Sequence, residues 1–338
     1  MRRTGKVYLP LHTGKCPPWL FEKMKVLGKR ICEITVSEYG KKELVRRFSD
    51  PFWFQSLACA LGFDFHSSGS TTVTLGALKE AGLEETGIFV LGGKGKRGLE
   101  TISELEALAD RLPDRVIEKL KIASISSSKV DSACVQDGYD LYHHSLIFAE
   151  TGEWCVIQQG MNGETGFARR YHWIYENLKS FTEEPHSAVC CDARGRTLNL
   201  VHRRSREVKK CILDMLSSRA EAEKSLRFAR NHGIRLSNYS RLLGICENPP
   251  DSFDEFVRIR GIGPKTLRAL CLVAKLIYGT EPSWEDPVKF SFAHGGKDGV
   301  PYPVDRRTYG KTVQILEDAL RDVKMREELK RAASLFDF

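Results

Sequence analysis

The sequence predicts an α+β fold: an N-terminal mixed α/β domain with a β-hairpin over residues 1–200, then a mainly helical domain over residues 201–338. Three observations carry this expectation. Apolar residues recur at helical spacing up to about Glu80, and the chain reads almost wholly helical again from about Arg203. Between them, LYHHSLIFAETGEWCVIQQGMN reads as two strands around Thr151-Gly152-Glu153, a β-hairpin over residues 141–160. Near the end, RGIGPKTLRAL sets two glycines, a proline and a lysine before an amphipathic helix.

Each element has its own reason. In PPWLFEKMKVLGKRICEITVSEYG the apolar positions Leu20, Phe21, Met24, Leu27, Ile31 and Ile34 lie close to a helical repeat. In FSDPFWFQSLACALGF, Asp50 before Pro51 is a helix start. GIFVLGGKGK is a short apolar strand running into a glycine-lysine loop, and ARRYHWIYENLKSF resumes a helical pattern. HRRSREVKKCILDMLSS, SRAEAEKSLRFARNHG, FDEFVRIRG, PKTLRALCLVAKLIYG and RRTYGKTVQILEDALRD are the helices of the second domain. EPSWEDPVKFSFAHGGKDGVPYPV separates the last two and is too long for a simple connection; such stretches are usually functional or an inserted lid.

Composition narrows the function classes. The chain has 338 residues, 41% hydrophobic and 28% charged, with a net charge of +8 that suits a polyanionic partner. None of the ten cysteines forms a C-x-x-C pair, which argues against a zinc knuckle. Met1 is followed by Arg-Arg-Thr-Gly, and no apolar run reaches the length of about 18 residues that a membrane helix needs. The expectation is a reduced, cytoplasmic protein without a membrane segment.

The GIGPKT stretch has a physical use. A short helix, FDEFVRI, ends at Arg260-Gly261, and a new one begins at Pro264. Gly261 and Gly263 let the backbone turn tightly with its N–H groups uncovered, and the positive end of the next helix dipole adds to them. Lys265 and Thr266 stand alongside, so the natural ligand is a DNA phosphate. This is the pattern of a helix-hairpin-helix motif, spanning about 254–278, which grips the backbone without reading bases.

GIGPKTLRALCLVAKLIYG together with PVDRRTY resembles the bifunctional base-excision glycosylases of the helix-hairpin-helix superfamily. The resemblance implies Lys265 as a Schiff-base lysine and Asp305 as the catalytic aspartate. A carboxylate would stabilise the oxocarbenium-like species, and an amine at a helix N-terminus would attack C1′ of a flipped-out nucleotide. RTGKVYLPLHTGKCPPWLFEKM, FSDPFWFQSLACALGFDFHSSGSTTVTLGALKEA, GIFVLGGKGK and VIQQGMN with ARRYHW resemble a mainly archaeal family catalogued as domain of unknown function 763, which names no reaction.

Other groups invite alternatives. Asp64, His66, Asp140, His143, His144, Glu150, Glu153 and Gln158 crowd the middle of the chain. Asp140 and Glu153 are the candidates for holding Mg²⁺ or Mn²⁺ in a nuclease. Strand alternation places His143 and His144 on opposite faces, against their sharing one metal. In GGKGKRG, Lys94 and Lys96 suit a backbone contact to nucleic acid, although the loop lacks the order of a nucleotide-binding one. In ARRYHW, Arg169 and Arg170 suit phosphates beside aromatics that could stack on a base. The expected function is DNA processing in repair: a glycosylase/lyase needing no cofactor, alternatively a metal-dependent structure-specific nuclease, or a non-catalytic DNA-binding protein.

Overall fold

Four helices open the chain in this computed structural model, which describes residues 9, 11, 14, 16–63, 67–190, 194–234 and 238–288. They are α1 (Pro18–Tyr39), α2 (Lys41–Ser49), α3 (Pro51–Ala60) and α4 (Gly69–Glu80). Their boundaries follow local chemistry. Asp50 stops α2 and caps α3, its carboxylate accepting from the backbone N–H of Phe52 at 2.8 Å and of Trp53 at 3.3 Å. Pro51 occupies the first turn, where no N–H is needed.

A strand β1 (Ile88–Lys94) follows, then two short helices, α5 (Lys96–Leu99) and α6 (Thr101–Glu106), and the longer α7 (Asp114–Lys129). A π-turn over Val130–Cys134 ends α7 and leads into β2 (Val135–Gln136). Strands β3 (Asp140–Ala149), β4 (Trp154–Asn162), β5 (Phe167–Ile174) and β6 (His186–Cys190) then form a meander. With β1 they make a five-stranded, wholly antiparallel sheet in the order β1-β3-β4-β5-β6, so the fold is α+β. Strand β7 (Leu198–Asn199) pairs with β2 in a separate small sheet.

The sheet is sandwiched, and alternation decides which side chain goes where. Ile88, Val90, Ile147, Ala149, Cys155 and Ile157 pack against Met24, Phe48, Phe54, Leu57 and Leu78 of α1–α4. Phe89, Leu91, Leu146, Phe148, Trp154, Val156, Tyr171 and Trp173 face the other way, onto Val116, Ile117 and Leu120 of α7. The same cluster continues through α8 (Arg206–Met215), α9 (Arg219–Asn231), α10 (Tyr239–Ile245), α11 (Phe253–Arg258) and α12 (Pro264–Tyr278). Phe256, Leu267, Leu270 and Val273 therefore share one core with Trp173, and the packing has no seam at residue 200.

One element departs from expectation. ARRYHWIYENLKSF does not continue as a helix; Phe167–Ile174 is the strand β5. Both of its faces are covered, and the six residues from Ala168 to Trp173 are all buried. No polar alternation marks it as a strand because Arg169 and Arg170 are themselves inside the protein. The segment RRTYGKTVQILEDALRD lies outside the described residues. No described helix is long and apolar enough to cross a membrane.

Candidate nucleic-acid interface at the hairpin

Helix α11 begins at Ser252, whose hydroxyl accepts from the Glu255 N–H at 3.2 Å. It is fixed to the sheet layer by Asp254, which accepts from the backbone N–H of Phe181 at 2.8 Å and of Thr182 at 3.0 Å. The chain leaves α11 at Ile259, turns through Gly261 and re-enters helix at Pro264.

The two glycines of the turn have different jobs. Gly261 sits at φ +92°, in the left-handed region, and a Cβ there would run into the Arg241 guanidinium. Gly263 is extended, at φ −141°, with open space where its Cβ would be. Nothing within the described protein requires Gly263 to lack a side chain. Its bareness has a use only if something outside the chain comes close to that backbone.

Cations and amides hold the hairpin's carbonyls from behind. Arg241 Nη1 donates to the Arg260 carbonyl at 2.5 Å, and Asn238 Nδ2 to that of Gly261 at 2.7 Å. Lys129 Nζ, at the end of α7, donates to the Ile262 carbonyl at 2.9 Å, and Gln136 Nε2 to that of Pro264 at 2.9 Å. Arg268 in turn holds Gln136 through Oε1 at 2.6 Å. With the carbonyls tied back, the amide N–H groups of Gly263, Lys265 and Thr266 donate to no partner among the described residues. Lys265 is exposed on the first turn of α12, whereas Thr266 is buried, its Oγ1 3.3 Å from Asn238 Nδ2.

Ile262, Gly263 and Pro264 form one wall of a cavity of about 420 Å³. Gly98 and Leu99 form another, with Ser124, Ser128 and Lys129 of α7 and His144 of β3 also lining it. The GGKGKRG loop and the hairpin thus meet around one opening. Lys94 and Lys96 are exposed on that loop, Lys94 lying 5.8 Å from the Tyr142 ring centre. The loop lies tight on β3 because Gly92, at φ +85°, has no Cβ to strike the His144 carbonyl. Lys79 and Glu104 bind Gly92 from either side, at 2.7 Å to its carbonyl and 2.7 Å from its N–H.

Other expected site residues fall elsewhere. Arg169 and Arg170 are buried and cannot reach a DNA backbone, which corrects their assignment as phosphate ligands. Arg169 faces the α7 side and pairs with Asp137 at 2.7 Å and Asp286 at 3.0 Å. Arg170 faces α1–α4, where it donates to Gln55 Oε1 and Thr71 Oγ1, each at 3.2 Å, and stacks on Phe54. Asp140 and Glu153 stand at opposite ends of the β3–β4 hairpin, roughly 30 Å apart along a ten-residue strand, so they cannot hold one metal. Glu153 instead bonds Thr151 across the turn, and Glu150 pairs with Lys41. His143 and His144 take opposite faces: His143 Nε2 lies 2.9 Å from Ser145 Oγ, His144 Nε2 2.8 Å from Ser124 Oγ. Burial pushes the His143 pKa down to about 3. Among the described residues no group of three or more His, Cys, Asp or Glu side chains is placed to hold a metal ion. Asp305, Asp64 and His66 lie outside the described residues.

Sequence reasoning missed Lys129, Gln136, Asn238 and Arg241, which orient the hairpin from other elements. No local motif marks them; only the serines at 124, 128 and 132, spaced four apart beside Lys129, hint at a polar helix face.

The family described as "Protein of unknown function (DUF763)" matches residues 5–304. No curated protein and no solved structure matches the chain.

Proposed function

Since the chain belongs to the DUF763 family, whose description supplies no reaction, its function must be argued from geometry, and we propose that it is a DNA-processing protein of repair that grips the phosphate backbone through the hairpin at Gly261–Thr266. The observation that carries this reading is Gly263. Its φ is ordinary and its surroundings are open, yet it is bare, beside uncommitted amides at a helix start. A phosphate oxygen seated there would accept from those N–H groups, with the exposed Lys265 on the same first turn of α12. The loop carrying Lys94 and Lys96 would add a second backbone contact across the cavity.

The chemistry attached to this reading is base excision, with Lys265 forming a Schiff base at C1′ and Asp305 stabilising positive charge on the sugar. The test is a panel of damaged duplexes incubated with and without EDTA and with borohydride. Metal-independent base release with a trapped covalent complex supports excision. Lys265→Gln should then abolish trapping, and Asp305→Asn should lower base release by roughly two orders of magnitude. The second reading makes the hairpin an anchor and Lys265 a phosphate ligand only. It is favoured by the position of Lys265, which is exposed and not among the residues lining the cavity. Strong binding without trapping on any duplex selects it.

A further inference from the structure

On the α7 face of the sheet runs a chain of hydrogen bonds that the hairpin's grip does not use. Asp131, in the π-turn after α7, accepts from Trp173 Nε1 at 2.8 Å, Gln158 Nε2 at 2.5 Å and His186 Nε2 at 2.5 Å. Gln158 thus presents its nitrogen to Asp131. Its carbonyl oxygen therefore faces His144 Nδ1, at 2.9 Å. A carbonyl only accepts, so His144 carries its proton on Nδ1 and keeps the Nε2 lone pair free. That Nε2 is 2.8 Å from Ser124 Oγ, which must be the donor. Serines inside helices commonly turn back to the carbonyl four residues earlier, but Ser124 gives its proton to a ring on the neighbouring sheet.

The chain of bonds ends at an opening. Ser124 and His144 line the same cavity as Gly263 and Lys129. Burial lowers the His144 pKa, so the ring is neutral and able to accept a proton near pH 7.

From this geometry we infer that Ser124 is a nucleophile for phosphodiesters, activated by His144 as general base, an inference that rests on the hairpin holding a DNA backbone beside the cavity. In the first step Ser124 Oγ bonds to phosphorus, its proton moves to His144 Nε2, and the P–O bond to the leaving oxygen breaks. His144 returns the proton to that oxygen. In the second step a water gives its proton to His144, attacks phosphorus and displaces Ser124, which takes the proton back. Lys129 and Gly263 line the same cavity, Lys129 as a cation that also donates to the Ile262 carbonyl, and positive charge there would favour the developing negative charge on the non-bridging oxygens. Gln158 and Asp131 are positioning residues that fix the tautomer of His144.

A fluorophosphonate probe tests the nucleophile without needing DNA: attack forms an Oγ–P bond and expels fluoride. Expected is modification of Ser124, located by peptide mass, that is absent in Ser124→Ala and unchanged in Ser128→Ala. His144→Gln should slow it roughly a hundredfold or more. Gln158→Met should lower the maximal rate without changing the probe concentration that gives half of it. The folded protein should also release nitrophenolate from bis(para-nitrophenyl) phosphate, and Ser124→Ala should not. No modification of Ser124 in the folded protein, or a rate indifferent to His144, overturns the inference. Labelling with no Ser124-dependent phosphodiester turnover overturns the substrate assignment. The probe reads the nucleophile without DNA and duplex binding by the parent protein reads the hairpin, so failure of the nucleophile and failure of the hairpin reading give different results. If misfolding clouds Ser124→Ala, Ser124→Cys supplies the control: its thiol should react with iodoacetamide faster than the buried native cysteines.

Discussion

Arg169 and Asp137 form an ion pair at 2.7 Å with side chains 2% and 1% exposed, and the same guanidinium reaches Asp286 at 3.0 Å. Asp137 also accepts from the Tyr171 hydroxyl at 2.7 Å. Burial pushes the Asp137 carboxyl up, and Arg169 pulls it back. The arginine thus joins the sheet to the segment that follows α12, through Asp286.

Removing it should be costly. Arg169→Leu leaves two carboxylates buried without their cation and should destabilise the protein by about 3–5 kcal/mol, read as a lower urea midpoint. Its effect on DNA should be confined to this loss of folded protein, because the side chain does not reach the surface.

This pair also shows where the sequence was legible and where it was not. Helix α1 could be read from Leu20, Phe21, Met24, Leu27 and Ile31, and the start of α3 from Asp50-Pro51, because those signals are local. The β3–β4 hairpin could be read from its turn. Strand β5 could not: two adjacent arginines look like a solvated face, and their partners are far away in sequence, at Gln55, Thr71, Asp137 and Asp286. The hairpin was legible as glycines and a lysine. What holds it was not, since Lys129, Gln136 and Arg241 each come from a different element.

The two hairpin glycines should separate by variant. Gly261→Ala forces a side chain into the left-handed region and displaces Arg241, so it should cost about 1–2 kcal/mol or more in thermal or urea unfolding. Gly263→Val should leave stability within about 0.5 kcal/mol of the parent, since its φ is extended and its Cβ site is open.

The cap at Asp50 gives a local check on the N-terminal layer. Asp50→Ala removes the acceptor for Phe52 and Trp53 and should lower stability by about 1 kcal/mol, with Asp50→Asn or Asp50→Ser recovering most of it.

Stability should fall on mild acidification. Burial lowers the pKa of His143 to about 3, and those of His144 and His172 also lie below the ordinary value of 6.5. The unfolded chain therefore binds more protons than the native one once the pH drops below about 6.5. The contribution is fully present above that pH and is lost on the way down, for His143 until about pH 3. His143 adds a slope that approaches about 1.4 kcal/mol per pH unit, and His144 and His172 add slopes of the same sign. Urea midpoints should fall between pH 7.5 and pH 5, and His143→Gln should make the fall shallower. A midpoint independent of pH in that window would contradict the buried neutral rings.

The central claim, that the bare backbone at Gly263 holds a DNA phosphate, meets its most direct test in duplex affinity measured across salt for the parent and Gly263→Val. The parent should bind with an affinity that falls steeply as salt rises. Gly263→Val, equally stable, should bind more weakly by roughly 1–3 kcal/mol and lose about 0.9 from the logarithmic salt slope for each phosphate released. Equal affinity and equal slope in a folded Gly263→Val protein would contradict the account.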